Sequence, residues 1–165
     1  MTLKIRKTTI KDIPEVMAVY ADGHEIMRES GNPTQWASTY PSQDIVEQDI
    51  KHGKSYVCVG DDDVILAVFF FCTEPDPTYT KIDGAWISDT PYGTIHRIAR
   101  KLVPEAKGAG AFCINWCYEQ IPNVRIDTHE DNAPMLKLLK NLGFIHCGTI
   151  WIDNGEPRLA FQRWI

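Results

Sequence analysis

Apolar residues follow two different periods in the first third of the chain. Apolar and polar residues alternate from Leu3 to Lys7, which is the period of a strand. From Ile13 to Tyr20 the apolar residues recur every three or four positions, which predicts a helix. The segment 23–41 is rich in Gly, Asn, Pro and aromatic residues and has no clear period. A second helix is predicted from Ser42 to His52, since Gly53 then supplies a helix-ending residue.

Strand-forming residues dominate the middle of the chain. Two β-rich runs, 55–60 and 64–72, flank the polar triplet Asp61-Asp62-Asp63 and predict a hairpin. Prolines then interrupt the pattern between Glu74 and Thr78. Further strand-like stretches occur at 82–87 and 94–99.

Helix and strand patterns alternate in the last third. The predicted elements, in chain order, are a helix at 108–119, a strand at 123–128, a helix at 132–142, and strands at 144–152 and 156–164. Asn154-Gly155 lies between the last two strands and is a strong short-range signal for a hairpin.

The elements together predict a single domain, residues 1–165, of the α/β (α+β) class. Their order is β-α-α-β-β-β-α-β-α-β-β. This order predicts a mixed, mostly antiparallel central sheet of about seven strands with helices on both faces.

Composition and charge narrow the classes of function. The formal net charge is −5, which argues against nucleic acid as a main partner because phosphate binding needs a basic face. The longest uninterrupted apolar run, from Val64 to Cys72, is far too short to cross a membrane, and the N-terminus does not resemble a signal peptide. The five cysteines lack zinc-site spacing, so we expect reduced thiols, no metal site and a cytoplasmic location.

A glycine-rich segment precedes the predicted helix at 108–119. It reads Lys107-Gly108-Ala109-Gly110-Ala111. Small residues let a ligand approach the backbone, and the unpaired N–H groups at a helix start can bind a pyrophosphate. The alternative is a tight turn whose small residues serve helix packing only.

A second candidate motif follows the strand at 123–128. Arg125-Ile126-Asp127-Thr128-His129 leads to Asn132, then to a helix that ends at Leu142-Gly143-Phe144. Asn132 lies near the helix start, so its side chain could equally be a simple helix cap.

In this order and spacing the two motifs resemble the GCN5-related N-acetyltransferase (GNAT) superfamily. That family's pyrophosphate loop reads Arg/Gln-x-x-Gly-x-Gly/Ala, and the frame falls on residues 105–110, with Glu105 in place of the basic residue. The family's later motif, an Asn followed by a helix and Gly-Phe, falls on Asn132 and Gly143-Phe144. The opening strand and Asp12-Ile13 also look like the family's N-terminus, so the resemblance covers the whole chain.

The resemblance implies a binding site for acetyl-CoA. The sheet would open between the strand around Ile98 and the strand around Ile126, and the backbone of Ile98, Ala99 and Arg100 would pair with the pantetheine arm. The segment 107–111 would hold the pyrophosphate, and Asn132 would lie beside the cofactor.

The same resemblance implies transfer of an acetyl group by direct attack of an amine in a ternary complex. Many family members protonate the leaving thiolate with a tyrosine on the last helix, but that position here is Leu139. Candidate bases for the ammonium proton are, besides His96, which we favour as the catalytic residue, the side chains of His24, Glu25, Glu74 and Asp83.

The irregular segment 23–41 carries Trp36 and Tyr40, which would form an aromatic wall for the acceptor or, alternatively, cap the core. The acceptor would be an amine of a small molecule or a protein, and the protein could form a homodimer.

Two other classes of protein stay open: a non-catalytic acetyl-CoA-binding or sensing module, and a nucleotide-binding α/β protein. The latter is disfavoured by the absence of a Walker lysine or a Rossmann glycine set.

Overall fold

The computed structural model describes residues 2–164. Within these residues, four α-helices and eight strands follow in the order β-α-α-β-β-β-β-α-β-α-β-β. The helices are α1 (Ile13–Glu29), α2 (Gln43–Lys51), α3 (Ala109–Gln120) and α4 (Ala133–Asn141). The strands are β1 (Lys4–Lys7), β2 (Ser55–Val59), β3 (Ile65–Cys72), β4 (Asp83–Gly84), β5 (Gly93–Arg100), β6 (Asn123–Thr128), β7 (Ile145–Trp151) and β8 (Pro157–Trp164).

All eight strands form one sheet in the order β1-β2-β3-β5-β6-β8-β7-β4. Every neighbouring pair is antiparallel except β5 and β6, which run parallel. The expectation of an α/β class with a mostly antiparallel sheet is therefore confirmed.

The helices cover both faces of this sheet, as the sequence predicts. Val16 of α1 and Val46 of α2 pack with Val68 of β3 in one buried cluster. Ile114 of α3 and Leu139 of α4 belong to a second cluster on the opposite face. Successive side chains of a strand point to opposite faces, so β3 contributes to both clusters. Within residues 2–164, no helix combines the length and apolar character that a bilayer crossing demands.

The structure corrects the predicted end of the first helix. α1 continues to Glu29, through the stretch that the sequence assigned to an irregular segment beginning at residue 23. Gly23 lies inside the helix, where a Cβ would come within 2.9 Å of the Ala99 Cβ. The glycine therefore allows close packing of α1 on β5, and the prediction that the irregular segment begins at residue 23 was wrong.

The predicted strand at 82–87 is also corrected, because only Asp83 and Gly84 pair in the sheet. The backbone N–H of Ile87 donates instead to the side-chain oxygen of Gln162, at 2.6 Å. The Ile87 amide is thus satisfied by a buried side chain and not by strand pairing.

Candidate active site

The central parallel pair of strands separates partway along its length. β5 and β6 pair from Gly93 and Val124 as far as Ile95 and Ile126. Beyond this point β5 continues to pair with β3, through His96, Ala99 and Arg100. The opening that the family resemblance implies between the strands around Ile98 and Ile126 thus corresponds to a divergence in the sheet.

A β-bulge lies at this divergence. Between the pairs Phe70–His96 and Val68–Ala99, two residues of β5, Arg97 and Ile98, oppose one residue of β3. Arg97 has a positive φ of 48°, an uncommon conformation for a residue with a side chain.

Four hydrogen bonds, with three residues, hold Arg97 in place. Its backbone carbonyl accepts a hydrogen bond of 3.0 Å from the Tyr20 hydroxyl. Its guanidinium binds both carboxylate oxygens of Asp49 on α2, at 3.0 and 2.8 Å, and donates to the Tyr40 hydroxyl at 3.1 Å. A two-pronged contact with a buried carboxylate fixes orientation as well as charge, so the bulge is rigidly supported.

A cavity of about 580 Å³ opens beside the bulge. Five of the residues that the sequence analysis proposed line it: Trp36, Tyr40, His96, Ile98 and Asn132. The glycine-rich segment 107–111 and residues Ala99 and Arg100 do not line this cavity. The structure therefore brings the proposed acceptor and catalytic residues together and places the proposed pyrophosphate loop outside their cavity.

His96 lies in the cavity between two carboxylates. Its Nε2 is 2.7 Å from Oδ2 of Asp76, and its Nδ1 is 3.8 Å from Oδ1 of Asp127. An ionised carboxylate can only accept hydrogen bonds, so the proton of the neutral imidazole lies on Nε2. Nδ1 is then left with a free lone pair that faces Asp127.

Hydrogen bonds from the protein hold both carboxylates. Burial alone would raise the pKa of Asp76, but hydrogen bonds from His96 and from the Thr78 hydroxyl and amide outweigh it and lower the pKa to about 2. The buried Tyr79 hydroxyl donates to Oδ1 of Asp127 at 2.6 Å. Burial, together with the nearby Asp127 charge, raises the pKa of Tyr79 well above its ordinary value, so the phenol stays protonated as a donor.

The other candidate bases lie elsewhere. Glu74 is exposed and pairs with Lys54 at 3.2 Å, and Asp83 is exposed on β4. Glu25 forms an ion pair with Arg28 on the surface of α1. A ring nitrogen of His24 bonds the Tyr40 carbonyl. None of the four lines the cavity.

Trp36 and Tyr40 form an aromatic cluster at the cavity wall. The Trp36 ring makes edge contacts with Tyr20, His24 and Tyr40 at centroid distances of 5.9, 5.3 and 5.8 Å. Both residues also face the cavity, so they cap the packing of α1 and border the open space at once.

The glycine-rich segment has the form of an anion-binding helix start. Gly108 precedes the first residue of α3 and has a φ of 81°. Within residues 2–164, the backbone amides of Gly108, Ala109, Gly110 and Ala111 donate to no backbone carbonyl, whereas the Lys107 amide donates to the Pro104 carbonyl at 3.1 Å. Four amides at this helix start are thus free to bind a diphosphate, a group that the chemistry of this donor set fits.

The free edge of β5 could accept an extended partner. The Lys101 amide donates to the Leu66 carbonyl at 2.8 Å, which makes that pair hydrogen-bonded in the ladder with β3. Backbone direction alternates along an antiparallel strand, so the polar groups of Arg100 point away from β3, toward the gap left by β6.

Asn132 and Leu139 lie at the start and in the last turns of α4, and only Asn132 faces the cavity. The Asn132 side chain caps α4 by accepting from the Met135 amide at 3.3 Å, and it donates to the Gln35 side chain at 3.0 Å. Leu139 is fully buried in the main core cluster and does not line the cavity. The position that carries a tyrosine in many family members therefore faces the core in this chain.

Sequence reasoning missed three members of the His96 network: Asp76, Tyr79 and Asp127. Asp127 had a usable signal, because it is a polar residue near the carboxyl end of a buried strand, where α/β sheets place ligand sites. Asp76 and Tyr79 lie in the proline-bearing segment after β3 and had none. Among residues 2–164, no group of three or more His, Cys, Asp or Glu side chains is suited to a metal ion.

The sequence matches no protein-family model and no curated protein. Solved structures do match. An acetyltransferase of the GNAT family from Streptococcus agalactiae is 27% identical, with a TM-score of 0.88 over 99% of this chain and 95% of that chain. Another, from Listeria monocytogenes, is 20% identical with a TM-score of 0.68 over 99% of this chain and 95% of that one.

A more distant structure, that of the NatC complex bound to Gag peptide and CoA, has a chain that is 12% identical with a TM-score of 0.59, covering 100% of this chain and 99% of that chain. The likenesses at 20% and 12% identity support the fold alone. The divided sheet, the free amides at the start of α3 and the similarity to the streptococcal protein together define an acyltransferase of the N-acetyltransferase type. The chain is a member of the GNAT superfamily.

Proposed function

We propose that the protein transfers an acetyl group from acetyl-CoA to a primary amine of a small molecule or a protein, by direct attack within a ternary complex. The observation that carries this proposal is the position of His96, in a cavity at the strand divergence with its Nε2 held by Asp76 at 2.7 Å. Acetyl-CoA would supply the activated thioester when bound, with the Gly108–Ala111 amides at its diphosphate and the free edge of β5 along its pantetheine arm.

His96 is the base in this mechanism. An ammonium ion has no lone pair, so it must lose a proton before its nitrogen can attack the carbonyl carbon. Nδ1 of His96 accepts that proton, and Asp76 stabilises the resulting imidazolium through Nε2–H. The new bond joins nitrogen to the carbonyl carbon, the carbon–sulfur bond breaks, and the nitrogen loses a second proton as the amide forms. Leu139 has no proton to donate, so the thiolate takes its proton from water, which carries the second proton away from the nitrogen.

The net charge of the protein and the charge of the cavity favour an amine acceptor over a nucleic acid. The net charge of −5 disfavours a polyanion, whereas a cavity lined by Asp76 and Asp127 favours a cation. All five cysteines are free thiols, which suits the reducing cytoplasm that we propose as the location.

The test is release of CoA from acetyl-CoA with a panel of primary amines. His96→Gln should lower kcat/KM at least about a hundredfold, the usual size of a general-base contribution, while CoA still raises the melting temperature. His52→Gln is the matched control, because His52 is exposed at the end of α2 and outside the cavity.

Two results would contradict the proposal. Equal activity of the His96 and His52 variants would remove His96 from the mechanism. Thermal stabilisation by CoA without transfer to any amine would favour the alternative, a non-catalytic acetyl-CoA-binding module.

A further inference from the structure

The charged side chains that line the cavity are unequal in their freedom to bind a ligand. The acidic ones are Asp76, Asp127 and Asp153, and the permanently cationic ones are Arg97 and Arg158. Both arginines are occupied by the protein itself, whereas two of the carboxylates accept only from neutral or titratable partners. The fixed charge available to a ligand is therefore negative.

The guanidinium of Arg158 is already hydrogen-bonded to protein groups. Its side chain is only 4% exposed. Its Nη2 donates to the Gln35 carbonyl at 3.0 Å, its Nη1 donates to the Pro157 carbonyl at 2.9 Å, and both lie 3.4 Å from the Glu156 carboxylate. Arg97 is likewise bound to both oxygens of Asp49 and to Tyr40. Neither guanidinium offers a free fork for a substrate carboxylate.

Asp127 is the carboxylate best placed to meet the reacting nitrogen. It follows Ile126, the last residue of β6 that pairs with β5, so it lies where the two strands part. Its side chain is 12% exposed, and its Oδ1 is 3.8 Å from Nδ1 of His96. Two atoms at this separation can both lie about 2.8 Å from a third atom, which is ordinary hydrogen-bond distance.

We propose that the ammonium group of the acceptor binds between Oδ1 of Asp127 and Nδ1 of His96, and that the acceptor is a primary amine with no carboxylate beside its nitrogen. This inference rests on the proposed function and narrows its substrate class. An ammonium carries three donors, so it can serve Asp127, His96 and one further acceptor. One N–H proton then passes to Nδ1, while the Asp127 side chain stabilises the positive charge that develops on the attacking nitrogen.

The exclusion of a neighbouring carboxylate follows from charge. A free α-amino acid bound in this way would bring its carboxylate into a site that already holds Asp76 and Asp127. Among the described residues that line the cavity, no guanidinium is unpaired and able to receive it. Like charges within a few ångströms disfavour binding, so an α-amino acid should be a poor substrate.

Asp127→Asn tests the ammonium site with little change of shape. The amide oxygen can still accept from Tyr79, but the negative charge is gone. We expect the KM for the amine to rise at least about tenfold, in line with the loss of a charge-assisted hydrogen bond, with the KM for acetyl-CoA unchanged. Asp62→Asn is the control, because Asp62 is exposed on a turn outside this cavity and its positive φ of 57° suits asparagine.

The substrate class is tested with phenylalanine amide and free phenylalanine. The wild type should prefer the amide, and this preference should shrink in Asp127→Asn. Comparing the ratio of kcat/KM values between the two proteins cancels the different basicities of the two amines. An equal ratio in both proteins, or a wild type that prefers the free acid, would overturn the proposal.

A binding measurement on the wild type does not depend on the stability of a variant. Titration with butylammonium chloride should shift the ring signals of His96 in a proton–carbon NMR spectrum, with the signals assigned by their loss in His96→Gln. An unshifted His96 would refute the ammonium site. Transfer to amines with an unchanged KM in Asp127→Asn would refute it while the proposed function stands, whereas ammonium binding without any transfer would refute the proposed function alone.

Discussion

Substitution of Gly108 by alanine would separate backbone strain from ligand binding at the start of α3. Gly108 has a φ of 81°, and apart from its neighbours along the chain no atom of residues 2–164 lies within 4 Å of where a Cβ would stand. Gly155, in the turn between β7 and β8, has a φ of 85° and equally open surroundings. Gly155→Ala therefore imposes the same strain without touching the proposed diphosphate site.

The strain can be estimated from these values. An L-residue in the left-handed region costs about 1–2 kcal/mol, and neither substitution adds a steric clash. For a chain of this length each kcal/mol corresponds to about 2–4 °C in melting temperature. Both variants should therefore melt roughly 2–8 °C below the wild type when no ligand is present.

The two variants should differ in how much CoA stabilises them. CoA at one hundred times its Kd stabilises a protein by about 2.7 kcal/mol, and a tenfold loss of affinity would reduce this by about 1.3 kcal/mol. We expect CoA to stabilise Gly108→Ala less than Gly155→Ala, because relief of the strain turns amides of the Gly108–Ala111 segment away from the ligand. The stabilisation is measured by thermal unfolding with and without CoA. A response in Gly108→Ala equal to that of Gly155→Ala would refute the proposed cradle.

Two further substitutions test charge in and around the site. Glu105 is exposed, and Glu105→Arg restores the basic residue that the family has at this position of the loop. The variant should bind CoA several-fold more tightly at low salt, and Glu105→Gln should have an intermediate Kd. Equal Kd values by calorimetry would show that this residue does not face the diphosphate. Asp76, with its pKa lowered to about 2, contributes stability that is complete above its ordinary pKa of 3.8 and is lost as the pH falls toward 2. Asp76→Asn should therefore lose about 2 kcal/mol less than the wild type in denaturant unfolding between pH 5 and pH 2, and an identical loss in both proteins would contradict the lowered pKa.

The sequence alone was sufficient for much of the fold. Strand and helix periods depend on neighbouring residues, so they predicted most elements, including the hairpin around Asn154-Gly155 and the helix that begins after Gly108. The same local logic failed at Gly23, because the reason for that glycine is Ala99, a residue on another element.

The sequence also proposed five residues of the cavity, His96 among them, but only the tertiary structure brought the carboxylates of the site to that histidine. Asp76 and His96 are separated by 20 residues, and Tyr79 and Asp127 by 48, so no local pattern relates them. His96 and Asp127 face each other where β5 and β6 part after Ile95 and Ile126, and the segment between β3 and β4 brings Asp76 and Tyr79 to them. A periodic sequence specifies which face of a strand is buried, but the place where two strands diverge depends on packing across the whole sheet. Packing against the sheet also decides that Leu139 faces the core.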